Sequence, residues 1–219
     1  MNGTRIALVG LVAVCAWAAW PKRQSVVDAH AMARQLVVWR TLARFDDPIV
    51  ILGDSIVEAS TLPRSSCGHP IVNAGIGGAS TASHLGSFLA DALGGKQAAL
   101  VVVSLGANDA VISDSVERYR SNYRALLTEL EALTPRRAMV GISPGEPGLE
   151  DGNKISGAVI DNFNAILPEL AKQAGATFIP MPAMPEHHTV DGIHLNADGY
   201  GVWDRAVLGG IDSALCKSS

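Results

Sequence analysis

AALVVVSL, Ala98 to Leu105, holds one polar side chain, Ser104, among seven apolar ones. A continuous run of this kind, rich in β-branched residues, reads as a strand buried on both faces, which is the pattern of an interior strand in a parallel sheet. Shorter runs of the same character stand at Ile49–Gly53 and Ile71–Asn73 before it and at Ala138–Ile142 and Thr177–Ile179 after it. Helical spacing falls around them. Ser25–Phe45 places Val26, Val27, Ala31, Met32, Leu36, Val37, Trp39 and Leu42 at that period and is stopped by Asp46-Asp47-Pro48. Asp114–Leu133 steps by three and four, with Asp114 and Glu117 set as a capping box. Gly157–Ala174 reads as a helix weakened or kinked by Pro168, and Ala197–Leu215 as a terminal helix capped by Asn196. Repeated β-α units predict an α/β fold with a parallel sheet, helices on both faces, and ligands held at the carboxyl ends of the strands.

With 219 residues the chain fits one domain of ordinary size. Its formal net charge of -4 gives no basic field to attract a phosphate backbone, so nucleic acid is not an expected partner. The start of the chain stands apart from the body. One Arg in Met1–Arg5 is followed by an uncharged run, Ile6–Trp20, and then by Pro21, Lys22 and Arg23. Fifteen residues fall short of the roughly 20 that cross a bilayer as a helix, and Ala16-Trp17-Ala18 supplies an A-x-A cleavage site, both marks of an export signal. Lys22 and Arg23 after the run oppose outward transfer and favour a retained anchor. The expectation is that residues 1–24 are a signal peptide or membrane anchor and 25–219 the functional domain, exported to a periplasmic or secreted location or held at the inner membrane through residues 6–20. Cys15 follows Val14 rather than a small residue and does not match a lipoprotein signal. In an oxidising compartment the two remaining cysteines, Cys67 and Cys216, are expected to pair, the alternative being two unrelated thiols.

Polar signatures follow the strand candidates in order: Gly53-Asp54-Ser55, then Asn73-Ala74-Gly75-Ile76-Gly77-Gly78, then Gly106-Ala107-Asn108-Asp109, and, beyond a loop after the last strand, Asp191-Gly192-Ile193-His194. Singly each is weak, because Ser, Asn and Asp after a strand commonly cap a helix and a Gly-rich segment is commonly a turn. Together, over Ile49 to Tyr200, they resemble the four blocks of the SGNH hydrolase superfamily, the GDSL esterases and lipases. The resemblance implies a flavodoxin-like three-layer α/β/α sandwich, here with a five-stranded parallel sheet. It also implies Ser55 as nucleophile, Asp191 and His194 as the rest of a triad, and an oxyanion hole made by the Ser55 backbone N–H, Gly78 and Asn108. The one departure is mild, GDSI in place of the commoner GDSL.

The residue types suit that chemistry on their own terms. A serine hydroxyl needs an adjacent base, an imidazole can serve near neutral pH, and a carboxylate can fix the tautomer of that imidazole. Attack on an ester carbonyl builds charge on oxygen, which Gly78, with its main chain open to close approach, and the uncharged Asn108 amide can meet with N–H donors. Asp54 and Asp109 read as capping residues that bind nearby backbone donors.

The implied function is a serine esterase or acylhydrolase that cleaves an ester, either an O-acetyl group on a carbohydrate or a short acyl ester, through an acyl-enzyme. A carbohydrate O-acetyltransferase with the same triad stays open, since transfer and hydrolysis share that intermediate. A silent glycan-binding domain would lack Ser, Asp or His, and all three are present. The expected partner is a small-molecule or glycan ester, and no metal or organic cofactor is expected. His187, His188, Asp191 and His194 offer imidazole and carboxylate donors for zinc, but adjacent side chains diverge on an extended chain and no HExxH is present. Gly75-x-Gly77 has Ser80 in place of the third glycine of a dinucleotide fingerprint, and Gly94-Gly95-Lys96 is followed by Gln97, so both read as turns. A GxSxG elbow is absent from the sequence, which disfavours the α/β-hydrolase scaffold. Ser143–Lys154, rich in Pro and Gly and without a hydrophobic period, is expected to be a mobile loop bordering the cleft, with a solvated connector as the alternative.

Overall fold

Apolar side chains alternate across two strands and thereby set two cores. In the computed structural model, which describes residues 26–216, β1 (Ile49–Gly53) sends Val50 and Leu52 to one face and Ile49 and Ile51 to the other. β4 (Leu100–Ser104) does the same with Val101 and Val103 against Leu100 and Val102. Every one of these side chains is fully buried, and each contributes about 1.5–3 kcal/mol relative to exposure. This two-sided burial is what the unbroken hydrophobic run requires.

The remaining elements follow in chain order. α1 is Val26–Leu42, α2 the short helix Ser55–Ala59, β2 Ser65–Ser66, β3 His69–Gly75 and α3 Leu85–Leu93. After β4 come α4 (Ala107–Ile112), α5 (Val116–Leu130), β5 (Arg137–Val140), α6 (Gly157–Gln173), β6 (Thr177–Ile179) and α7 (Ala197–Ile211). The sheet runs β2-β3-β1-β4-β5-β6. Residues from α1, α3, α5 and α6 cover one face, among them Val38, Leu89, Tyr123 and Phe163. Ile56 and Val57 of α2 with Trp203, Val207 and Ile211 of α7 cover the other, which gives three layers.

Five strands are parallel, as the β-α repeat predicts, but the sheet has six. The sixth, β2, pairs antiparallel with His69–Pro70 through a turn at Cys67 and Gly68, both at positive φ. Two residues are too few for any periodicity to announce. The same turn brings Cys67 to Cys216, and the two form a disulfide with a Cα–Cα distance of 5.5 Å.

Several boundaries moved from their sequence positions. The cap of α5 is Ser115, whose hydroxyl accepts from the Arg118 N–H at 3.2 Å, rather than Asp114. α6 runs through Pro168 without interruption. Asn196 caps α7 as expected, accepting from the N–H groups of Asp198 and Gly199, but regular helix stops at Ile211 and a π-helical turn spans Asp212–Cys216. The signal or anchor assigned to residues 1–24 lies outside the described residues. Among the described residues no helix is long and apolar enough to cross a membrane.

Strand register explains where chemistry can gather. β1 pairs with β3 so that Gly53 is level with Gly75, and with β4 so that Gly53 is level with Ser104. The carboxyl ends of three neighbouring strands therefore form one row. The chain passes from β1 to β3 on one side and then to β4 on the other, so this row is the topological switch point at which doubly wound sheets hold ligands.

Candidate active site

Ser55 leaves the middle of that row as the first residue of α2. Its position is set by Asp54, which caps the helix by accepting from the Ile56 N–H at 2.9 Å. The capping role expected of Asp54 is thus present. The carboxyl group is also buried, and burial outweighs the Ile56 hydrogen bond and the attraction of His194, raising its pKa to about 7.

His194 comes from 139 residues further along the chain, and its Nε2 lies 3.0 Å from Ser55 Oγ. The other ring nitrogen, Nδ1, is 2.6 Å from Asp191 Oδ2. An ionised carboxylate can only accept, so Nδ1 carries the hydrogen and Nε2 is left as the acceptor for the serine hydroxyl. Asp191 Oδ1 meanwhile accepts the backbone N–H groups of Ile193 at 3.0 Å and His194 at 2.8 Å. Burial alone would raise the Asp191 pKa; the hydrogen bonds from His194 and Ile193 outweigh it and hold the group below its ordinary value. The carboxylate is therefore kept charged and fixed in orientation.

Gly78 and Asn108 flank this chain from the ends of β3 and β4. Gly78 sits at φ +79, where a Cβ would meet nothing within 4 Å, so backbone conformation and not space demands glycine here. Among the described residues neither the Ser55 nor the Gly78 N–H donates to an acceptor. Asn108 spends one amide hydrogen on Ala79 O at 2.9 Å and keeps the second.

Sequence reading missed the supports of this rim. Asp109 is not a local cap: its buried carboxylate accepts the backbone N–H and hydroxyl of Thr81, 28 residues away, and so ties β4's end to the turn that carries Gly78. Burial pushes its pKa up against those hydrogen bonds. Glu58, on the nucleophile's own helix, accepts the Gly77 N–H at 2.7 Å and pairs with Arg34 of α1 at 3.3 Å. Glu three residues after the Ser was the only signal available for it.

The four candidate zinc donors do not converge. His194 and Asp191 face Ser55, His187 is solvent-exposed, and the buried His188 ring sits between Pro185 O at 2.8 Å and Pro144 O at 2.9 Å. Gly94 and Gly95 lie at positive φ in the turn that ends α3, as read. Ser143–Lys154, expected to be mobile, is tied to the loop that carries Asp191 and His194: Glu146 N donates to Gly192 O at 2.9 Å and Asp151 N to Asp191 O at 2.8 Å.

A hydroxyl, an imidazole and a carboxylate in series, beside unoccupied N–H donors at the switch point of a doubly wound sheet, define a serine ester hydrolase. The model of the GDSL-like lipase/acylhydrolase family matches residues 51–202, and the chain belongs to that family. No curated protein matches the chain by sequence. Among solved structures it is similar to one from Streptococcus pneumonia provisionally described as a platelet activating factor (23% identity, TM-score 0.69, 93% of this chain and 98% of that one). It is also similar to a lipase/acylhydrolase from Enterococcus faecalis (20% identity, TM-score 0.60, 76% and 95%). A third is an acetylxylan esterase from Geobacillus stearothermophilus (16% identity, TM-score 0.58, 75% and 94%). At these identities the likeness is one of fold.

Proposed function

We propose that the protein is an exported esterase that removes short acyl groups, acetyl foremost, from a carbohydrate or other small-molecule alcohol through an acyl-enzyme. The observation that carries the reading is the unbroken hydrogen-bonded line Ser55 Oγ–His194 Nε2 and His194 Nδ1–Asp191 Oδ2, at 3.0 and 2.6 Å. His194 takes the Ser55 proton as Oγ attacks the ester carbonyl, and the imidazolium that forms is held by Asp191. The Ser55 and Gly78 N–H groups and the second Asn108 amide hydrogen receive the oxyanion. Collapse expels the alcohol, which takes its proton from His194, and water then enters by the same route to release the acid.

Acetyl preference is supported by the fold neighbours that act as acetylxylan esterases. Export is supported by the Cys67–Cys216 disulfide, since such bonds persist in oxidising compartments, and by the apolar run Ile6–Trp20. The test is acid release from p-nitrophenyl esters of increasing acyl length and from acetylated xylo-oligosaccharide. The proposal expects kcat/KM to be highest for acetyl and to fall with length. A preference for long chains, or no ester cleavage, would remove it.

A further inference from the structure

Glu146 lies in the loop after β5, buried, and touches none of the residues placed in the chemistry above. Its Oε2 is the meeting point of three donors from a segment 42 and 43 residues away: the His188 N–H at 3.0 Å, the Thr189 N–H at 2.5 Å and the Thr189 hydroxyl. Thr189 Oγ1 in turn accepts the Gly192 N–H at 3.1 Å, and Gly192 O accepts the Glu146 N–H at 2.9 Å. The ring closes around the turn Thr189–Gly192, which holds Asp191 and leads two residues later to His194. Packing enforces the same register, since a Cβ on Gly192 would come within 2.4 Å of the Gly152 backbone and 2.9 Å of Glu146 O.

The geometry points to Glu146 as a positioning residue that sets the Asp191–His194 turn at hydrogen-bonding distance from Ser55. A carboxylate suits the task because it only accepts, so one oxygen can gather donors from backbone and side chain without a donor of its own to satisfy. The Thr189 hydroxyl bond comes first among the influences that hold this carboxyl below its ordinary pKa, with burial opposing it and the Thr189 and His188 N–H groups assisting. The imidazoles nearest to it are His187, 3.5 Å from Oε1, and His188, 3.7 Å from Oε2, and neither makes a closer ion pair. Without Glu146 three donors lose their acceptor and the turn is free to settle elsewhere. A displacement of about 1 Å at His194 costs on the order of 10²-fold in rate.

This inference rests on the triad reading above, and the experiment separates the two. In the full-length protein, Glu146→Ala is expected to lower kcat on p-nitrophenyl acetate by about 10²-fold with KM little changed, and to slow fluorophosphonate labelling of Ser55 in parallel. Glu146→Gln, which keeps an acceptor oxygen for the same donors, should restore kcat to within about tenfold of the parent. A folded Glu146→Ala protein with parental kcat overturns the inference, as does equal loss in the Ala and Gln variants. Should Glu146→Ala fail to fold, Thr189→Val against Thr189→Ser asks the same question of the hydroxyl link. The Val variant is expected to lose kcat and the Ser variant to keep it, and equal rates overturn the inference. Labelling on a residue other than Ser55 in the parent protein would instead bring down the triad reading beneath it.

Discussion

Asp54→Asn should make the protein more stable at alkaline pH than at acid pH, relative to the parent. The Asp54 carboxyl is buried at 2% exposure, and its pKa rises from 3.8 to about 7 on folding. Below about pH 4 the group is protonated in both folded and unfolded chains and contributes no pH dependence. Between about 4 and 7 the folded protein binds the extra proton, so stability falls as pH rises, and above that window the full penalty of holding a buried charge is present. The gap between 3.8 and about 7, at 1.36 kcal/mol per pH unit, comes to about 4 kcal/mol. Asparagine cannot ionise, yet its Oδ1 can still accept from the Ile56 N–H that Asp54 caps at 2.9 Å. Any fixed cost of burying the amide NH2 is the same at every pH, and the other raised carboxyls, Asp109 and Asp204, are common to both proteins. Urea unfolding of parent and variant at about pH 4 and about pH 8 therefore isolates the one group. The stability difference should grow in favour of the variant by about 4 kcal/mol across that range. A difference that stays flat with pH would refute the reasoning.

Three further outcomes follow from the same geometry. Asn108→Ala should lower kcat by about 10²- to 10³-fold with KM little changed, the usual loss for one oxyanion donor, and steady-state kinetics with a folded variant would show it. Glu58→Ala leaves the Gly77 N–H without its acceptor and Arg34 without its partner. It should weaken binding of a boronic acid transition-state mimic by about tenfold, in step with kcat/KM, and undiminished binding would contradict that role. Reduction of the Cys67–Cys216 bridge, which spans 149 positions, should lower stability by at most about 5 kcal/mol by the loop-closure argument, seen as a lower urea midpoint once mass spectrometry confirms two alkylated thiols.

How much of this was legible in the chain depends on the kind of signal. Ile49–Gly53 and Ala98–Leu105 are buried on both faces, and two-sided burial writes itself into sequence as an unbroken apolar run. The β-α repeat then placed Ser55, Gly78 and Asn108 on one sheet edge, and the family resemblance supplied Asp191 and His194, which arrive from a loop with no periodicity. The sixth strand was illegible because Ser65–Ser66 is shorter than any repeat. α3 was passed over although Leu85, Leu89, Ala92 and Leu93 stand at helical spacing before Gly94, so that signal was present and unread. Glu146 and Asp109 were beyond reach for another reason: each binds a segment far along the chain, and a carboxylate that serves a distant backbone looks in sequence like any solvated acid. The Pro- and Gly-rich composition of Ser143–Lys154 suggested freedom, whereas close approach to Gly192 is what its Gly152 provides.

The most direct test of the central claim is to treat the protein with a fluorophosphonate and locate the adduct by peptide mass spectrometry. One adduct on Ser55, absent from Ser55→Ala together with a loss of about 10⁴- to 10⁶-fold in turnover, is the predicted result. An adduct elsewhere, or a Ser55→Ala protein that still cleaves esters at the parental rate, would contradict it.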